Sequence, residues 1–298
     1  MKSSSQDKQP YPWYDSFWLT KYQRAKDVIR RVQPEKLPVF VAALSKLRTR
    51  ADFRTKRIPG LFDETTMATM RQTIATFQLT QLKLHELKRF GRFVVHDHPF
   101  FTELQKRMID LVSEAAGEPV EASYNFVSLY KKVGVCPVHL DTPEAKWTLD
   151  LCIEQSAPWP IHLSQVVPWP EGVTFKEDDW QRAIKESPDY EFTSYNLEPG
   201  EALIFSGSSQ WHYRDPIQLD GKEHFCSLVF FHFVPKGMLE TVRLENWARL
   251  FGIPELDDLR TVSCAPACFR IKLALILENH KVPFTHAKPA IISTAPRR

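Results

Sequence analysis

The chain has 298 residues, 43% of them hydrophobic and 25% charged, with a formal net charge of +3. That is an ordinary globular composition, long enough for one large domain with extensions, and its charge is too mild to argue for a nucleic-acid partner. No apolar stretch approaches the ~18 residues needed to span a bilayer. In chain order, Met1 to Gln9 is polar and no apolar run follows, so no signal peptide is expected. Residues 1–119 read as mainly helical, with periodic segments at Phe17 to Val32 and Pro38 to Leu47. Met67, Met70, Ile74 and Phe77 form a stripe behind a candidate cap at Asp63, and a further helix runs from Pro99 to Ala116 before Gly117 ends it.

Short strands follow. Ala122 to Lys131, Lys146 to Ile153 and Ile161 to Val166 are the first three, and Ala202 to Phe205 comes after a turn at Leu197 to Glu201. His224 to Val234 is so rich in aromatic and β-branched residues that it predicts a strand buried on both faces. Residues 167–192 look inserted, being turn-rich with a short helix at Glu177 to Glu186, and are a candidate lid. Residues 237–298 predict two more helices, Leu239 to Phe251 and Phe269 to Asn279, and a tail. Five scattered cysteines favour a reducing cytoplasm, and Cys264 and Cys268 read as two unlinked thiols.

The most informative feature is His139-Leu140-Asp141 followed at long range by His212. Two imidazoles and one carboxylate take one face of an Fe(II) octahedron and leave positions open. In a strand, residues i and i+2 point the same way, so His139 and Asp141 can grip one metal while Leu140 faces away. The polar turn Ser206 to Ser209 delivers His212 from a neighbouring strand. Other histidines read as structural: His162 and His232 fall in apolar strands, and Asp97 between His96 and His98 reads as a cap or turn.

Several features occur in one order: Tyr130 and Gly134 before His139-x-Asp141, then Pro199-Gly200-Glu201 with its apolar strand, His212-x-Arg214, and the closing strand Cys226 to Phe231. In that order residues 120–236 resemble the double-stranded β-helix core of the Fe(II)- and 2-oxoglutarate-dependent oxygenases, in their prolyl-hydroxylase-like branch. The resemblance implies a mainly β jelly-roll core with helical N- and C-terminal extensions, an α+β chain overall. It implies Fe(II), 2-oxoglutarate and O2 as cofactor and co-substrates, with ascorbate as a possible support, and His139, Asp141 and His212 as ligands.

The co-substrate's distal carboxylate needs a cation, best an arginine fork. The family's basic residue lies about ten positions beyond the distal histidine, where this chain has Lys222, and His224 occupies what resembles the usual arginine's place. Arg214 has the better chemistry and is expected on the same side of its strand as His212, with Lys222 second and Tyr130 a hydroxyl donor to the same carboxylate. The implied reaction is hydroxylation of an unactivated C–H bond in a small metabolite or amino-acid-like substrate, with a peptidyl side chain as the alternative. Two readings from other classes stay open: a zinc-dependent hydrolase on the same triad, and a non-catalytic cupin-like binding protein.

Overall fold

The computed structural model describes residues 16–83, 86–169, 180–217 and 220–260. The expected helix at Phe269 to Asn279, the Cys264 and Cys268 pair and residues 170–179 of the candidate lid lie outside them. The N-terminal helices α1 (Ser16–Val32) and α2 (Leu37–Ser45) form where the periodicity places them, and lead into a short strand β1 (Lys56–Ile58). Helix α3 (Glu64–Ala75) begins at Asp63, whose carboxylate accepts the Thr66 amide at 2.7 Å, and buries Met67 and Met70. Beyond α4 (Leu87–Phe90) comes strand β2 (Arg92–His96). The segment expected as one helix from Pro99 is two, α5 (Pro99–Arg107) and α6 (Ile109–Ala116), and Gly117 ends the second in the left-handed region, as such a C-terminus requires.

The remaining strands are β3 (Val120–Tyr130), β4 (Cys136–His139), β5 (Trp147–Gln155) and β6 (Ile161–Leu163). After helix α7 (Trp180–Glu186) come β7 (Thr193–Tyr195), β8 (Ala202–Phe205), β9 (His212–Arg214) and β10 (Cys226–Pro235). The last helix among the described residues, α8 (Trp247–Phe251), is shorter than expected. The Glu121 carboxylate accepts the amides of Gly237, Met238 and Leu239, which holds the chain at the sheet edge where the helix was expected to start. No described helix is long and apolar enough to cross a membrane.

The strands make two antiparallel sheets, one of order β1-β8-β5-β10-β3-β2 and one of order β4-β9-β6-β7. The fold is therefore mixed α+β. The region expected to be helical contributes both edge strands of the larger sheet, since β1 pairs with β8 and β2 with β3. One face of the larger sheet packs Val127, Leu149, Leu151 and Phe231 against residues of α3, α5 and α6. Its other face shares a core with the smaller sheet, where Leu203, Phe205 and Leu228 meet Val138, Ile161 and Trp211. A third cluster joins α1, α2 and α8 through Trp18, Tyr22, Phe40 and Trp247. Strand β10 is nearly all buried and hydrogen-bonded on both sides, as its composition predicts.

Candidate metal centre

The two sheets bring the triad together. His139 and His212 are directly opposed in the β4–β9 register, so their rings project to one side, with centroids 4.0 Å apart. Asp141 stands just beyond β4 rather than within it, held by its amide to the Gly207 carbonyl at 2.8 Å. Its Oδ1 lies 3.3 Å from His139 Nε2 and its Oδ2 3.7 Å from His212 Nε2. One donor atom from each residue lies within 4.8 Å of the others, and this is the one such cluster among the described residues.

The second nitrogen of each imidazole fixes what the first can do. His139 Nδ1 lies 2.8 Å from the Pro137 carbonyl and His212 Nδ1 2.9 Å from that of Gln210. A carbonyl only accepts, so both Nδ1 atoms carry a hydrogen and both Nε2 atoms face the Asp141 carboxylate. Burial, with the neighbouring His139 adding to it, pushes His212 down to about 3. Burial opposes charge at His139 too, but Cys136 and Asp141 outweigh it and draw this histidine up to about 10. Burial would raise Asp141, yet His212 and His139 hold its carboxyl well below the usual carboxylate range. An ionised carboxylate, a bare His212 nitrogen and a His139 nitrogen whose proton a metal would displace, all nearly dry and pre-oriented, are a fitting donor set for a divalent metal.

Gly207 is the packing condition for this geometry. A Cβ there would stand 2.3 Å from Asp141 Oδ2, 2.6 Å from the Ala145 carbonyl and 2.7 Å from Thr148 Oγ1. Gly207→Ala is expected to push the carboxylate off its position and weaken metal affinity by at least ~10-fold, the usual scale for losing a ligand's support. Cobalt(II) titration followed by visible absorption measures this, and an unchanged affinity would mean that Asp141 does not contribute a ligand atom.

The triad lines a cleft of about 90 Å3 between the sheets. A larger surface cleft of about 690 Å3, lined by basic residues such as Lys46, Arg50 and Lys56, contains none of the triad. The small cleft has two unlike sides that adjoin. At one, Arg92 donates through Nη1 to the Tyr130 hydroxyl at 2.7 Å and through Nε to Glu86 at 2.5 Å. Burial pushes the Tyr130 phenol up, so it stays protonated. Beside it stand Tyr124, Phe126, Phe230 and His232, with the Arg92 guanidinium 5.3 Å from the Phe126 ring. Burial pushes His232 down to about 4.

Three expected anchors are placed differently. Tyr130 and Arg214 both line the cleft. Arg214 is 3% exposed, but its guanidinium is already committed, Nη2 to Asp150 Oδ2 at 2.7 Å and Nη1 to the Trp159 carbonyl. Asp150 is completely buried, and desolvation raises its carboxyl even beside that guanidinium. Lys222 does not reach the cleft: its side chain is 77% exposed and lies 3.8 Å from Asp220. The bend at Asp220 to Lys222 carries this expected second anchor out into solvent. The sequence reading gives Arg92 no role, whereas His232 is a buried strand histidine hydrogen-bonded to Thr148, as it predicts. The alternation of Arg92 and Val94 is the available signal, but β2 falls within the region that reads as mainly helical.

No family model matches the chain, and no curated protein matches it. Solved structures do resemble it. Over 61% of this chain and 83% of its own, HygX from Streptomyces hygroscopicus, crystallised with nickel and 2-oxoglutarate, is 13% identical with a TM-score of 0.46. The non-haem α-ketoglutarate-dependent epimerase SnoN from nogalamycin biosynthesis matches 78% of this chain and 91% of its own, at 15% identity and a TM-score of 0.45. A Pseudomonas putida prolyl-4-hydroxylase matches 65% and 98%, at 11% identity and 0.41. Likenesses this distant carry no weight for function, which has to come from the side chains.

Proposed function

We propose that this chain is an Fe(II)- and 2-oxoglutarate-dependent oxygenase with a double-stranded β-helix core, acting on a C–H bond of a small molecule. The observation that carries this is the convergence of His139 Nε2, His212 Nε2 and the Asp141 carboxylate, with each Nδ1 locked by a backbone carbonyl. When bound, Fe(II) with 2-oxoglutarate and O2 supplies oxidation of an otherwise unreactive C–H bond. The chain's own contribution is to hold that site rigid, present a cation and a hydroxyl to a carboxylate, and keep water out between two packed sheets.

We assign the co-substrate's distal carboxylate to Arg92 and Tyr130 in place of Arg214. Tyr130 accepts from Arg92, which leaves its own hydrogen to donate; both arginines are paired with a carboxylate, but Glu86 beside Arg92 is 16% exposed whereas Asp150 beside Arg214 is fully buried, so Arg92 is the cation whose partner water can more readily take over. Arg214 supports the same side through Asp150 and Trp159. With zinc-loaded protein, Arg92→Met is expected to weaken 2-oxoglutarate binding by at least ~10-fold, on the scale of a lost charged hydrogen bond. Tyr130→Phe should weaken it less. Calorimetry decides between the two arginines: a folded Arg214→Met protein that loses more affinity than Arg92→Met returns the anchor to Arg214.

The reaction class is tested by incubating the protein with Fe(II), 2-oxoglutarate, ascorbate and O2 and following succinate. Succinate that depends on Fe(II) and disappears with zinc is expected. A hydrolytic activity supported by zinc, or no succinate with any small-molecule or peptide library, would remove this reading.

A further inference from the structure

The aromatic side of the cleft holds one polar atom with nothing to do. His232 is 3% exposed, and its ring lies 4.3 Å from that of Tyr124, 5.5 Å from Phe126 and 6.4 Å from Phe230, parallel to the last within 2°. Its Nδ1 is 3.1 Å from Thr148 Oγ1, and that hydroxyl donates to Asp141 Oδ2 at 3.5 Å. A carboxylate only accepts, so the one hydrogen of Thr148 is spent on Asp141. His232 Nδ1 must then be the donor in the other contact, and a neutral imidazole with hydrogen on Nδ1 has a bare lone pair on Nε2. That nitrogen is buried without a hydrogen-bond partner among the described residues. A buried acceptor left unmet is costly, and cores rarely keep one without a use.

We infer that His232 Nε2 is the acceptor that selects the primary substrate, which brings an O–H or N–H into the cleft on an apolar body that fits among Tyr124, Phe126 and Phe230. The inference rests on the oxygenase reading of the same cleft and names its substrate class: a donor-bearing, ring-compatible molecule rather than an anion or a plain hydrocarbon. A site built around an unmet acceptor refuses an analogue that lacks the donor far better than it refuses one differing by a methyl group. The same tautomer also ties His232 to Asp141 through Thr148, so substrate capture and carboxylate orientation share one chain of hydrogen bonds.

The test uses zinc-loaded, 15N-histidine-labelled protein, with His232 assigned by its disappearance in His232→Phe. Long-range 15N–1H correlation is expected to show hydrogen on Nδ1 and none on Nε2, and Thr148→Val should release that preference. Phenol and toluene, nearly equal in shape and differing in one donor, then serve as probes. Phenol should move the Nε2 resonance and toluene should not. The ratio of their dissociation constants should shift about tenfold towards toluene in His232→Phe, the scale of one hydrogen bond. An Nε2-protonated tautomer, or the same ratio in both proteins, would overturn the inference and leave His232 a packing residue. Neither measurement uses turnover, so its failure is distinct from an absence of succinate, which would remove the oxygenase reading itself.

Discussion

Asp150→Ala is expected to destabilise the protein by about 3 to 5 kcal/mol, because it strands the Arg214 guanidinium in the core. Asp150 is wholly buried and Arg214 is 3% exposed, so neither charge has water to fall back on. For a chain of this size that corresponds to a fall in melting temperature of roughly 6 to 20 °C. Asp150→Asn should cost less, since the amide oxygen still accepts from Nη2. Replacing both partners by apolar residues, Asp150→Leu with Arg214→Met, should recover much of the loss, because removing a buried pair together is far cheaper than breaking it. A melting temperature for Asp150→Ala within 2 °C of the parent would mean that Arg214 is neutralised by some other route.

His212→Ala is expected to abolish Fe(II)-dependent succinate formation and to lower cobalt(II) affinity by more than ~100-fold, beyond the range seen when only a ligand's hydrogen-bond partner is lost. The fold should survive, since the ring lies at the end of a three-residue strand and packs mainly on Phe205 and His139. Lys222→Ala provides the contrast. With its side chain in solvent, it should leave both metal affinity and the 2-oxoglutarate KM within about twofold, as surface changes do. Retained cobalt binding in His212→Ala would take the distal histidine out of the centre.

What could be read in the residues alone follows the range of the interactions involved. The helix after Asp63 and strands β8 and β10 are encoded in runs of a few neighbours, and they stand where periodicity puts them. The triad was legible because three ligand types occur in a fixed order, although Asp141 sits in a loop held by Gly207 rather than on the strand. The surroundings of Arg92 and Arg214 were not legible. Arg92 reaches Tyr130 across 38 positions only because β2 pairs with β3, and Asp150 finds Arg214 across 64. Spacing alone does not say that the bend at Asp220 to Lys222 leaves the Lys222 side chain in solvent. Such pairings are set by sheet order, which no local pattern states.

The three candidate ligands do not share equal footing in the fold. His212 rides on β9, bonded to a strand on each side, whereas His139 ends β4, the edge strand of the smaller sheet, and Asp141 follows it in a loop. Peeling β4 therefore releases two ligands at once while β10, in the middle of the larger sheet, stays zipped. Ion exchange should then run on the clock of a local opening, well below the free energy of global unfolding. In hydrogen exchange the amides of Val138 and Asp141 should trade with solvent long before those of Leu228 to Phe231, and a bound ion should slow the first pair alone.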